Sequence, residues 1–226
     1  MSRDPAERLD SEGRAKLERV LALLAEERAS VSSVVDERAW QVHVVDSLTG
    51  LEVAGLEGAG RIADVGAGAG FPGLVLAVAL PQAQVDLLES VGRKCEFMRG
   101  AIDAAGIANA TVLNTRSEDW ASADGREAYD AVTARAVGRL STLAELASPL
   151  LKPNGVLVAW KGRRDDDEEH QLQVASADLS MAPEQILDVG NRAGSEHRHL
   201  HVIRKSGPTP ANLPRKPGIA KKRPKG

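Results

Sequence analysis

Arg61-Ile-Ala-Asp-Val-Gly-Ala-Gly-Ala-Gly-Phe-Pro-Gly73 decides how this chain folds. Its first five residues read as a short buried strand ending at Val65. Gly66, Gly68, Gly70 and Gly73 then supply a turn tight enough to need glycine, and Pro72 opens a helix through the apolar run Leu74 to Leu80. Strand, glycine-rich turn and helix form the start of a βαβ unit, in which the turn brings backbone close to a ligand.

Outward from that stretch the same alternation continues. Gln84–Glu89, Ala110–Asn114 and Tyr129–Arg135 read as strands, with helices over Arg93–Ala105 and from Leu140 to Leu150. Pro153-Asn154-Gly155 predicts a turn into a fifth strand ending at Lys161. A helix over Asp165–Ala177 precedes two late strands, near Ile186–Val189 and His199–Ile203, with no long helix between them. Those two are expected to pair antiparallel at a sheet edge. The prediction is an α/β fold with a mostly parallel seven-stranded sheet. Upstream, the spacing of Leu17, Val20, Leu21 and Leu24 predicts an amphipathic helix over Pro5–Arg28, and a second is expected from Asp36 to Leu51. The chain thus divides into a helical extension (1–56), an α/β domain (57–206) and a flexible basic tail (207–226) whose Pro, Gly and Lys/Arg content argues against secondary structure.

Glu89 ends the second strand, 19 residues after Gly70. In open α/β sheets that strand end borders the ligand crevice, where a carboxylate can accept hydrogen bonds from ribose hydroxyls. Glycine loop and acid together indicate a nucleoside site. Gly68, Gly70 and Gly73 also satisfy G-x-G-x-x-G, which would admit a nicotinamide dinucleotide. Two details favour S-adenosylmethionine. Asp64 stands where a carboxylate could orient the cationic methionine end, and Pro72 removes an N–H that a pyrophosphate would use. No G-K-[ST] follows, which excludes a P-loop.

The chain of 226 residues carries 29 Lys and Arg against 32 Asp and Glu, unevenly placed. From Arg204 onward there are eight basic residues and no acidic ones, leaving 21 basic against 32 acidic in residues 1–203. An acidic body with a basic tail suggests one localised polyanion contact, a solubilising tail being the alternative. Aromatics at 3% disfavour a stacking surface for single-stranded RNA. The lone Cys95 fits a reducing compartment, and the start MSRDPAERLD has no apolar signal region, so a cytoplasmic protein is expected, with no membrane span. His197, His199 and His201 share one strand face, but no fourth ligand is evident and no metal is expected. Nothing demands a dimer, and a monomer is expected.

At His43-Val-Val-Asp46-Ser47-Leu48, DVGAGAGFPG, LLESVGRK, TRSEDW, TARAV, AWKG, HRHLHVIRK and PRKPGIAKKRP, in that order from Val42 to the C-terminus, the sequence resembles a known family. It is similar to the bacterial small-subunit rRNA guanine-N7 methyltransferases, the glucose-inhibited division protein B family. Glu89 stands where the family commonly has Asp, and residues 28–40 depart from its pattern. The resemblance implies a Rossmann-like class I S-adenosylmethionine-dependent methyltransferase acting on N7 of a guanine in a loop of 16S rRNA, as naked RNA or in the 30S particle. It implies cofactor contacts at Gly66, Phe71, Ser117, Glu118 and Arg135, beside Asp64, Gly68 and Glu89 from the reading above. The alternative is a methyltransferase of another RNA, a protein or a small molecule.

The residues suit that chemistry. N7 has a free lone pair, so in-line displacement needs positioning and no essential general base. The Asn/Asp-Pro-Pro-aromatic motif expected for exocyclic amines is replaced by Thr133-Ala-Arg-Ala-Val137, and Cys95 lies far from the acceptor side. Arg135, His43 and Asp46 are the candidates for a catalytic role. For His43 and Asp46 the competing reading is helix capping and packing; for Arg135 it is a surface ion pair. Arg93, Lys94, Lys161, Arg215, Lys216 and Lys222 are the candidate RNA contacts. Trp120 and Trp160 read as packing.

Overall fold

The computed structural model describes residues 4–27, 31–32, 34–190 and 196–226. A short 3-10 turn (Pro5–Arg8) precedes α1 (Ser11–Glu26). The single helix expected from Pro5 is broken because Asp10 turns extended and its side chain accepts the Gly13 N–H at 2.7 Å, starting α1 afresh. The expected end at Arg28 lies outside the described residues. The second helix begins later than Asp36, whose carboxylate instead accepts the Arg38 N–H at 3.0 Å. It runs as a wide π turn (Trp40–Val45), α2 (Asp46–Leu48) and a 3-10 turn (Thr49–Glu52), followed by α3 (Ala54–Glu57).

Then come β1 (Arg61–Val65), α4 (Gly73–Ala79), β2 (Gln84–Glu89), α5 (Gly92–Ala105), β3 (Ala110–Asn114), α6 (Ser117–Ala121), β4 (Tyr129–Arg135) and α7 (Leu140–Ala147). They are followed by β5 (Leu151–Lys161), α8 (Asp166–Leu179), β6 (Met181–Asp188), β7 (His199–Lys205) and α9 (Ile219–Lys222). The sheet order is β3-β2-β1-β4-β5-β7-β6. β1 to β5 pair parallel, while β7 pairs antiparallel with both β5 and β6. The late hairpin lies at the sheet edge, as the missing connector helix implies. The turn expected at Pro153–Gly155 is absorbed into β5 as a register shift, with Asn154 at φ +65.

Side chains on successive strand positions face opposite layers. Val156, Val158 and Trp160 join a core with Leu17, Leu24, Leu48 and Leu74, while Leu157 and Ala159 join one with Leu143, Leu172 and Leu179. Burial on both faces is what a parallel sheet requires. Leu17, Leu24, Leu48 and Leu56 of the N-terminal extension share the first of these cores with the sheet and so pack onto the domain. The tail overturns the expectation of disorder: Leu213 and Ala220 are buried and α9 forms within it. The strand order reverses at β1, with β2 on one side and β4 on the other, which places the glycine loop at the switch point.

Candidate functional site

The loop after β1 is held from three directions. The Leu88 carbonyl accepts the Gly66 and Ala67 N–H groups at 2.9 and 3.1 Å. Glu89 Oε2 accepts the Gly68 N–H at 3.0 Å, and Asp64 Oδ2 accepts the Gly73 N–H at 2.9 Å. Gly66 sits at φ +68, and a Cβ there would stand 2.7 Å from Val137 Cγ2. At Gly73 it would stand 2.1 Å from Leu87 Cδ2, so glycine is what lets α4 approach the sheet.

Asp64 is 1% exposed, and its second oxygen accepts the Thr133 hydroxyl at 2.9 Å. Burial pushes its pKa up to about 6. Asp64, expected at the methionine end of a cofactor, accepts from the loop at Gly73 with one oxygen and from Thr133 of β4 with the other.

A cavity of about 510 Å³ opens between the ends of β1, β2 and β3 and the start of α7. Gly66, Glu89, Ser117 and Glu118, four of the expected cofactor contacts, line it, with Leu88, Val137 and Leu146 as apolar walls. Each Glu89 oxygen takes one backbone N–H, from Gly68 and from Val91, and a carboxylate oxygen retains a further acceptor site. Glu118 accepts the Ser117 hydroxyl at 3.2 Å on one oxygen and the Gly218 N–H at 2.8 Å on the other. A glycine cradle, two carboxylates and apolar walls fit a nucleoside with a ribose diol and a planar base.

Phe71 and Arg135 do not line that cavity; they belong to a second cluster beside the loop. The His43 ring stacks on Phe71 at 4.5 Å, and the Arg135 guanidinium lies 5.8 Å from the Phe71 centroid. His43 Nε2 is 2.9 Å from the Val34 carbonyl, which can only accept, so Nε2 carries the proton and Nδ1 faces Arg135 Nη2 at 3.3 Å. Burial lowers the His43 pKa, which keeps the ring neutral. Arg135 Nη1 donates to Asp46 Oδ2 and to the Val42 carbonyl, both at 2.9 Å. Arg198, which the sequence reading missed, reaches Asp46 Oδ1 at 2.8 Å. The His43 ring is hydrogen-bonded on both nitrogens, and the Asp46 carboxylate is ion-paired with two arginines. Arg135 forms an ion pair that is buried, where the competing reading put one at the surface.

With this geometry in hand, residues 15–200 match the family described as rRNA small subunit methyltransferase G. The chain belongs to that family. A ribosomal RNA small subunit methyltransferase G of Rubrobacter xylanophilus is 42% identical over 186 residues, covering 80% of this chain and 71% of the relative. The protein of the same name from Pelotomaculum thermopropionicum is 37% identical, covering 92% and 89%. Among solved structures, cofactor-bound Rv0187 from MTB superposes with TM-score 0.59 at 19% identity, covering 85% of this chain and 91% of that one. A SAM dependent methyltransferase from Aquifex aeolicus gives 0.55 at 17%, covering 75% and 93%. These two show the Rossmann-like methyltransferase fold.

The candidate basic residues separate by environment. Lys161 turns inward to Glu168 at 2.6 Å and the Gly138 carbonyl at 3.0 Å, and Arg215 is engaged by the buried Glu145. Both candidate RNA contacts are thus engaged within the chain. Arg93 and Lys216 are exposed and Lys94 half-buried, while Lys222 is exposed at the cavity wall. Arg116 and Lys221, missed in the sequence, join it there; Arg116 directly precedes Ser117, which was the available signal. Cys95 is buried, its thiol donating to the Glu89 carbonyl at 3.3 Å, and the buried Trp160 donates to the Asp46 carbonyl at 2.9 Å. Among the described residues no group of three or more His, Cys, Asp or Glu is placed to hold a metal, and no helix is long and apolar enough to cross a membrane.

Proposed function

We propose that this chain transfers a methyl group from S-adenosylmethionine to N7 of a guanine in small-subunit rRNA. The observation that carries the reading is the cavity where the Gly66 cradle meets Glu89, in a chain of this family. S-adenosylmethionine supplies an electrophilic methyl on a cationic sulfur. Glu89 takes the ribose hydroxyls, Leu88, Val137 and Leu146 flank the base, and Ser117 with Glu118 offer polar atoms at its edge. Gly68 contributes through its N–H, which holds Glu89 in place.

The guanine N7 lone pair forms the new N–C bond as the C–S bond breaks, and the positive charge passes from sulfur to the imidazole ring. No proton leaves in that step, which agrees with a cluster in which His43 and Asp46 are already committed to partners. The chain contributes alignment, worth about 7–11 kcal/mol in well-oriented reactions. Arg135 holds the Phe71 side of the loop. Arg93, Lys94, Lys216 and Lys222, with Arg116 and Lys221, are the side chains proposed to meet RNA phosphates; the substrate is 16S rRNA, naked or in the 30S particle.

The test is incubation of the protein with methyl-labelled cofactor and either 30S particles or naked 16S rRNA, followed by mapping of 7-methylguanine. Label at one guanine N7 is expected. Label on another base, or on neither form of the RNA, rejects the proposal.

A further inference from the structure

The segment after β7 is strapped across the domain. Lys205, fully buried, starts it, its ammonium shared by Glu127 Oε1 at 2.8 Å and by the Leu151 carbonyl and Thr209 hydroxyl, both at 2.6 Å. Farther on, Arg215 sets Nε and Nη2 on the two oxygens of Glu145, a residue 2% exposed on α7. Arg215 Nη2 also donates to the Arg223 carbonyl at 2.8 Å, closing the segment into a loop. Thr142 donates to the Ala220 carbonyl at 3.3 Å, and the Gly218 N–H reaches Glu118 at 2.8 Å. These ties bring Pro217, Gly218 and Ala220 to the wall of the cavity that Gly66, Glu89 and Glu118 line.

We propose that residues 213–222 are a built part of the cofactor site, latched by Arg215 on Glu145, and that they close the cavity around the adenosyl nucleoside. The inference rests on the proposed function for the identity of the nucleoside. Its physical basis is the buried Glu145: an unpaired carboxylate there is costly, so the arginine is held firmly and fixes the strap. The strap in turn presents the Gly218 N–H to Glu118, which sets the direction of a carboxylate facing the cavity. Arg215 and Glu145 are therefore positioning residues, acting on the cofactor through Gly218 and Glu118.

The experiment is calorimetric titration of the full chain with S-adenosylhomocysteine, beside Arg215→Ala and, as a control, Arg204→Ala at the remote β6–β7 edge. Hydrogen exchange of the 213–222 amides in the wild type is followed with and without the same ligand. The expected results are at least tenfold weaker binding for folded Arg215→Ala, binding within twofold of wild type for Arg204→Ala, and slowed exchange in the strap on binding. If Arg215→Ala does not fold, exchange in the wild type decides alone. Tight binding by folded Arg215→Ala, or strap amides indifferent to the ligand, overturns the strap. A wild type that does not bind S-adenosylhomocysteine overturns the cofactor reading itself.

Discussion

Glu89 Oε2 accepts the backbone N–H of Gly68 at 3.0 Å, which joins the acid of the second strand to the loop of the first as one unit. Removing the carboxylate therefore has two effects: a ribose acceptor is lost and the loop is released. Glu89→Ala is expected to weaken S-adenosylhomocysteine binding by more than tenfold, and Glu89→Gln by less, since its amide oxygen can still accept the Gly68 N–H. Calorimetry ranks the two. Equal affinities for wild type and Glu89→Ala would remove Glu89 from the site.

Gly66 is constrained twice, by φ +68 and by the 2.7 Å approach of a would-be Cβ to Val137. Gly66→Val is expected to abolish cofactor binding, and Gly66→Ala to weaken it with a stability loss of about 1–2 kcal/mol from the left-handed backbone. Adding Val137→Ala to Gly66→Ala should relieve the contact and leave the backbone strain, so affinity recovers more than stability. Recovery of neither, measured by titration and denaturant melting, would contradict the assigned contact.

Much of this was legible beforehand. The first four strands occupy the residues their sequence indicates, because each is an apolar run closed by a turn or a polar residue. The glycine loop and Glu89 were readable because the ends of adjacent parallel strands border one crevice, whereas Ser117 and Glu118 came only from the family resemblance. What was hidden depends on pairs far apart in the chain. Arg215 and Glu145 are separated by 70 residues, so a Pro- and Lys-rich segment that reads as disordered is ordered by a partner its own composition does not reveal. Arg198 was missed likewise, since its partner Asp46 lies on α2. The break at Asp10 was a local signal, an N-cap inside what looked like one continuous helix.

Asp46 is 1% exposed between Arg135 and Arg198. Taking it away leaves two half-buried cations without their buried counter-charge, and breaking a buried pair costs up to about 3–5 kcal/mol. Asp46→Ala is expected to lose stability on that scale in urea melts. Asp46→Ala combined with Arg198→Ala should be less unstable than the two single losses added together, because one orphaned charge goes with its partner. Strict additivity would show that Arg198 and Asp46 are not coupled.

Asp64 gives a pH signature of opposite sign to an ordinary ion-paired acid. Burial holds its pKa at about 6 in the folded chain, against 3.8 for an ordinary aspartate. Between those values the native state holds a proton that the unfolded chain has released, so this residue makes stability fall as pH rises from about 4 to 6. The full effect is on the order of 3 kcal/mol. Asn in its place can accept the Gly73 N–H through its oxygen and donate its amide to the Thr133 hydroxyl, which is free to reverse its role. Asp64→Asn should therefore fold, and the wild-type-minus-variant difference in unfolding free energy should decline through that window and level off above it. A difference that stays flat from pH 4 to 7 would mean that the buried carboxyl ionises normally, and that the loop rests on a charged acid throughout that range.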